Sequence, residues 1–193
     1  MNIDVFIRSC FPEKLKEYAL HMRMSLYFAC EARWKMVSGI NLTTLFPKND
    51  VTREKFHMES KRLAEQLSTS PVYIIADDDC LILGKDFVVE GVKAMNDYPS
   101  FGILTATSIS DGEWKHTQVV TAPVDQHSVG GVAFVRKGIL TEFRDLGMDK
   151  VDDAICSEII RKGYRTGILP WVKMNHLGAG YSLTSPGEGN WSA

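Results

Sequence analysis

Val72-Tyr73-Ile74-Ile75-Ala76-Asp77-Asp78-Asp79-Cys80-Leu81-Ile82 is the stretch on which the fold turns. Apolar and aromatic residues run straight into three consecutive carboxylates, and the apolar pattern then resumes. The first half reads as a short strand buried on both faces, of the kind found inside a parallel sheet. Ligands on open α/β sheets bind beyond the carboxyl ends of the strands, and the triplet falls there. Three adjacent carboxylates repel one another unless a cation or donor groups lie among them. Oxygen ligands in an open arrangement suit Mg²⁺ or Mn²⁺ better than Zn²⁺. The plain alternative is a solvated loop whose Asp side chains cap turns.

Working outward, the segments before the triplet alternate. Ile3 to Ile7 predicts a strand interrupted only by Asp4, and Pro12 suits the first turn of a helix. Tyr18, Ala19, Met22, Leu26 and Ala29 repeat at helical spacing. Trp34 to Val37 predicts a second strand closed by Ser38-Gly39, and Asn41 to Asp50, with Pro47, a loop. A helix opens near Thr52 with Phe56, Leu63, Ala64 and Leu67 as its apolar stripe, and Arg53, Lys55, Lys61 and Arg62 on its other faces. Strand, helix, strand, helix, strand implies a parallel sheet with right-handed crossovers and helices on both faces.

Beyond the triplet, Phe87, Val88, Gly91, Val92 and Met95 mark another amphipathic helix, and Phe101 to Thr107 a strand. Ser108 to Ser128 is polar and without helical period. It holds Trp114, His116 and His127 and predicts a lid or a disordered loop. Gly130-Gly131 opens the strand Val132 to Arg136, where glycine lets a backbone pass close to a ligand or another strand. Asp152-Asp153 leads into a helix with Ile155, Ile159 and Ile160 on one face and Gly163 as its stop. Arg165 to Val172 predicts a strand that Pro170 forces to an edge or a bulge. His176 follows, and a Gly-, Ser- and Pro-rich tail ends the chain.

The bulk numbers fit one α/β domain. The 193 residues are 45% hydrophobic and 24% charged, ordinary values for a globular protein. A net charge of −2 and a pI near 6.2 argue against broad capture of nucleic acid. No stretch approaches a transmembrane helix and no signal peptide is read, so the expected compartment is the cytoplasm. Cys10, Cys30, Cys80 and Cys156 lack metal-binding or disulfide spacing and are expected to be reduced, buried thiols.

Asp77 to Asp79, Asp152-Asp153 and His176 thus stand at element ends, and each has a bland explanation. An Asp accepts bonds from the free N–H groups of a helix start, and a lone histidine serves many structural roles. Their order along one chain resembles the GT-A glycosyltransferases, and within them the family 2-like inverting enzymes. The resemblance runs from Ile3 to His176. A D-x-D ends a buried strand (Asp77-Asp78-Asp79), and a Gly strand followed by Arg comes next (Gly130-Gly131 to Arg136). An acidic pair then starts a helix ending in Gly163-Tyr164-Arg165, and a Pro strand closes with His176.

That resemblance implies a single GT-A (Rossmann-like) domain with a mostly parallel central sheet flanked by helices. Residues 1–83 would bind the donor nucleotide, 84–180 would form the acceptor and catalytic half, and 181–193 a tail. It implies a metal-dependent inverting transfer from a nucleotide-sugar, with UDP-sugar the expected donor, to a hydroxyl acceptor. Asp79 would bind Mn²⁺ or Mg²⁺ bridging the donor phosphates, with His176 as second ligand. Asp77 would touch the ribose or base, or hold metal-bound water. Asp153, or Asp152 in its place, would be the general base. Arg8, Ser9, Lys61, Arg62, Asp78 and Gly131 would line the donor site. The Pro-x-x-Asn pattern after the first strand and the acidic residue after the second are missing, which leaves the base open. The chain is short for the family, and a homo-oligomer would complete its acceptor half. Two alternatives stay open: a haloacid-dehalogenase-like phosphatase with Asp77 as nucleophile, and a non-catalytic nucleotide-sugar binding module.

Overall fold

The computed structural model describes residues 2–8, 39–45, 53–77, 80–84, 86–110, 113–114, 122–126, 130–141 and 151–176. The expected helix from Pro12, the strand Trp34 to Val37, Ser9, His116, His127 and the tail 181–193 lie outside them. In chain order the elements are β1 (Asn2–Arg8), β2 (Gly39–Leu45), α1 (Arg53–Leu67), β3 (Val72–Asp77), β4 (Cys80–Leu83), α2 (Phe87–Asp97) and β5 (Phe101–Ser110). There follow β6 (Glu113–Trp114), β7 (Val124–Asp125), β8 (Val132–Arg136), α3 (Val151–Arg161) and β9 (Arg165–His176).

The strands share one nine-stranded sheet in the order β2-β1-β3-β8-β5-β9-β4, with β6 on β5 and β7 on β9. The α/β class holds, but the strand directions are mixed. β1 pairs parallel with β2 and β3, and β5 parallel with β9, whereas β8 runs antiparallel between β3 and β5, and β4 antiparallel to β9. The expected alternation covered only the first half of the chain, where the helix α1 links β2 to β3. Beyond it β8 enters antiparallel to both of its neighbours, and β4 antiparallel to β9, which short links allow and helical crossovers alone do not produce.

Two buried clusters cover the sheet's faces. Ile3, Val5, Ile7, Val72, Ile74 and Ala76 meet Phe87, Val88, Val92 and Met95 of α2 on one face. Phe6, Tyr73 and Ile75 meet Phe56 and Ala64 of α1, and Ile155 and Ile159 of α3, on the other. This is the period-two alternation of strands buried on both sides. The α2 face is the one the sequence predicts. Gly91 is a packing glycine there, because a Cβ would stand 2.0 Å from Phe134 Cζ.

Three expectations are corrected. Asn41 to Leu45, read as part of a loop, belong to the strand β2, which Gly39 opens. Ile40, Leu42 and Leu45 needed a neighbour to declare them, and β1 is that neighbour. On α1 the inner face is Phe56, Ser60, Lys61, Ala64 and Glu65, while Leu63 and Leu67 are 41% and 51% exposed. Likewise Ile160 of α3 faces out. The interior of α1 is polar for a reason. The Glu65 carboxylate accepts the Tyr73 hydroxyl at 2.9 Å and the N–H groups of Gly138 and Leu140 at 2.6 and 3.2 Å. Burial, with this carboxylate beside it, pushes the Tyr73 phenol far up. Finally, the segment Ser108 to Ser128 is not wholly loop, since it contains the end of β5, β6 and β7.

Asp4 is the polar break in β1, and it is buried. Asn41 Nδ2 donates to it at 2.8 Å, the N–H groups of Thr69 and Ser70 at 2.6 and 2.9 Å, and the Thr69 hydroxyl at 3.0 Å. Burial alone would raise this carboxyl, but these donors outweigh it and hold it well below the usual carboxylate range. Asp4 thereby ties the turn between α1 and β3 to the amino end of the sheet.

Chain length forces the sheet to curl at its other end. Two residues separate Asp77 of β3 from Cys80 of β4, so the strand ends lie within about 11 Å. In a flat sheet the intervening β8, β5 and β9 would hold them about 19 Å apart. The bend is visible in β9. Its register against β5 jumps between Leu169 and Lys173, opposite the successive residues Ala106 and Thr107. Pro170, which cannot donate to a ladder, lies in that irregularity, so the bulge alternative holds and the edge alternative does not.

Candidate functional site

The curl gathers the carboxyl ends of β1, β3, β5 and β9 with the amino ends of β8 and β4. Arg8 ends β1 and Asp77 ends β3, and the two are register partners. The Arg8 guanidinium donates to Asp77 Oδ1. Arg8 is 5% exposed and Asp77 20%, so the pair sits at the rim of the core rather than in open water. Asp77 Oδ2 accepts the Gly131 N–H at 3.1 Å, and the Asp77 N–H donates to the Gly131 carbonyl at 2.9 Å. Both oxygens of Asp77 therefore hold a donor from the protein, one of them charged.

Gly131 must be glycine. Its φ is +75°, and a Cβ would lie 2.4 Å from Met174 Cε and 3.2 Å from Cys80 Sγ. Of the two expected uses of this glycine, the close approach is to neighbouring strands, β4 and β9. Through it Asp77 is connected to the far edge of the sheet. Cys80, the first residue of β4, is the register partner of His176, the last residue of β9.

The sequence-predicted residues can now be placed. Arg8, Asp77 and Gly131 meet directly. His176 lies at the same edge by backbone register, one strand position from the chain segment that carries Asp78 and Asp79. Asp78, Asp79 and Ser9 lie outside the described residues, as do the side chains of Asp152, Asp153 and His176. Asp152 and Asp153 fall inside the first turn of α3 rather than before it. The last turn of α3 joins β9 at its amino end, so α3 runs back along the sheet and its first turn lies toward the carboxyl ends. α3 covers the face that Arg8 and Asp77 share by alternation with Phe6 and Ile75. Lys61 is buried and Arg62 half-buried on α1, over that same face.

The motif residues that do not join this edge are scaffold. Arg136 Nη2 donates to the Met95 carbonyl at 2.5 Å and Nε to the Phe101 carbonyl at 3.3 Å, tying β8 to α2 and β5. Arg165 makes a two-pronged pair with Asp125 at 2.8 and 2.6 Å and lies 4.3 Å over the Phe101 ring. A cleft of about 370 Å³ beside Asp125, Tyr164 and Arg165 lies at this opposite end. Cys80 and Cys156 are buried and lie outside any disulfide, as expected.

Among the described residues no three His, Cys, Asp or Glu side chains converge as a metal cage. The donor types gathered at the curled edge, carboxylates and one imidazole, nonetheless suit a hard divalent cation in chemistry. Arg8 changes the balance within the triplet, since its charge offsets that of Asp77. Sequence reasoning missed this pair because the partners are far apart in the chain and become neighbours only through β1–β3 register. An Arg ending the first strand was the one available signal.

No family model matches the chain, and no curated protein matches it by sequence. Solved structures do match in fold. Residues 1–349 of TarS from S. aureus superpose with a TM-score of 0.63 at 10% identity, over 91% of this chain and 60% of that one. The same fragment in complex with UDP-GlcNAc gives 0.58 at 10% identity, covering 91% and 58%. A197 from STIV gives 0.58 at 14% identity over 91% of this chain and 85% of that one. The chain thus shares the fold of these structures, a mixed curled sheet flanked by helices. This chain spans about 60% of the length of the TarS fragment. No helix among the described residues is long and apolar enough to cross a membrane.

Proposed function

We propose that this chain is a metal-dependent, inverting glycosyltransferase that moves a sugar from a UDP-sugar to an acceptor hydroxyl. One observation carries the proposal: strands far apart in sequence deliver Arg8, Asp77, Gly131 and His176 to one curled edge of a fold shared with TarS. The TarS fragment is known in complex with UDP and with UDP-GlcNAc, which favours uridine as the base. Asp79 and His176 would hold Mn²⁺ or Mg²⁺, which supplies positive charge against the departing diphosphate. Arg8, with Ser9 and Arg62, would bind the nucleotide, and Gly131 would brace Asp77 beside the donor against β4 and β9.

The acceptor oxygen attacks the anomeric carbon from the face opposite the diphosphate. Its bond to that carbon forms as the carbon–phosphate oxygen bond breaks, and UDP leaves with the electron pair. Asp153 takes the acceptor's proton, with Asp152 as the alternative base on the same helical turn. A single displacement inverts the centre and needs no covalent intermediate. Asp153→Asn tests this. Transfer should fall by at least about a hundredfold, the range of general-base catalysis, while UDP affinity in Mn²⁺ stays within a few-fold. Unchanged transfer sinks the assignment to Asp153 and, if Asp152→Asn is equally silent, the assignment of the base to this pair, whereas no transfer by the wild type sinks the transferase itself. A phosphatase or a passive binder would be indifferent to both changes.

A further inference from the structure

The three carboxylates of the triplet invite a reading in which all face the cation. The geometry points to a different division: we infer that Asp77 is a positioning residue and not a metal ligand. It sets Arg8 as the cationic wall of the donor site and locks the Gly131 turn beside it. This rests on the proposed donor site but is read from contacts internal to the protein.

Three contacts carry the argument. Asp77 Oδ1 takes the Arg8 guanidinium, a charge-assisted bond between side chains already aligned by β1–β3 register. Asp77 Oδ2 takes the Gly131 N–H at 3.1 Å, and the backbone returns the bond through Gly131 O at 2.9 Å. A cation drawn to Asp77 would have to compete with a guanidinium already neutralising it, in a place only 20% exposed. Asp78 and Asp79 immediately precede Cys80, the residue that pairs with His176. The negative charge offered to a metal is therefore that of the later carboxylates.

The locked pair has a second effect. A guanidinium presents several N–H donors in a rigid fork, and holding one side with a carboxylate fixes the direction of the rest. Arg8 is thereby oriented before any donor arrives, so less is lost in ordering it on binding. Gly131 is held equally, and it abuts Met174 and Cys80, the strands that end at His176. Asp77 thus sets the spacing between the nucleotide side and the metal side without touching the metal.

The test is a pair of double-mutant cycles on the full chain with Arg8→Met, Asp77→Asn and the double variant. The first cycle reads melting temperature without ligand. Either single variant should lower it, and the double should lose no more than the larger single loss. The second reads UDP affinity in EDTA and again in Mn²⁺. Arg8→Met and Asp77→Asn should each weaken UDP binding in EDTA about tenfold, non-additively. The enhancement that Mn²⁺ brings should stay within about threefold of wild type in both. Asp79→Asn should do the reverse, keeping the EDTA affinity and abolishing the enhancement. Collapse of the Mn²⁺ enhancement in Asp77→Asn, or melting losses that simply add, overturns the inference. If wild type binds no nucleoside diphosphate, the donor reading fails, and the melting cycle alone still decides whether Asp77 is the clamp.

Discussion

Two residues fix more of this molecule than their size suggests. Gly131 joins the Asp77 carboxylate to the strands that end at His176, and it has no room for a Cβ. Gly131→Ala should cost about 1–3 kcal/mol from left-handed strain and overpacking, and trimming Met174 to Ala in that background should recover donor affinity before stability. Calorimetry and UDP titration read the two separately. At the opposite end Asp4 accepts donors from Asn41, Thr69 and Ser70. Asp4→Ala should cost about 2–4 kcal/mol, because several buried donors lose their acceptor. The sign of its pH dependence follows from a depressed folded value. Below about pH 4 the unfolded chain takes up a proton that the folded chain refuses. The Asp4 contribution is thus complete above that pH and is lost on acidification. Denaturant midpoints from pH 7 to pH 3 should fall more steeply for wild type than for Asp4→Asn. Parallel slopes would show that Asp4 is not held as described.

Among the elements, α2 and β3 were legible from sequence while β2 and α1 were misread, and the reason is the same in each case. The buried residues of α2 are all apolar or glycine at helical spacing, and β3 is an unbroken apolar run. Pattern and burial coincide there. In α1 the inward face carries Ser60, Lys61 and Glu65, and the outward face carries Leu63 and Leu67. A polar interior is stable only because Glu65 meets Tyr73, Gly138 and Leu140, all distant in sequence. Composition cannot announce partners of that kind. Leu67→Gln should therefore leave stability within about 0.5 kcal/mol, whereas Phe56→Ala should cost about 3–5 kcal/mol. Equal losses in urea titrations would restore the stripe the sequence suggested. Along β9 the predicted effect of Pro170 is borne out as a break in register, and that break lets the sheet bend.

At the scale of the whole molecule, the motifs divide between the two ends of the sheet. Asp77, Gly131, the start of α3 and His176 belong to the carboxyl edge, while Arg136, Tyr164 and Arg165 brace the amino edge. The order of residues along the chain carried the resemblance. The curl, enforced by a two-residue link between β3 and β4, explains why the His176 end of β9 is brought toward Asp77. The Arg8–Asp77 pair was not legible, because register between strands cannot be read from either strand alone. The central claim is that this edge binds a uridine diphosphate donor with a divalent cation, and thermal unfolding with UDP tests it directly. At UDP about a hundredfold above Kd, with Mn²⁺ present, binding adds about 2.7 kcal/mol. For a chain of this size the midpoint should then rise by about 5–10 °C. The rise should shrink in EDTA and disappear in Asp79→Asn with Arg8→Met. No rise with UDP or any other nucleoside diphosphate, with or without Mn²⁺, would contradict the account.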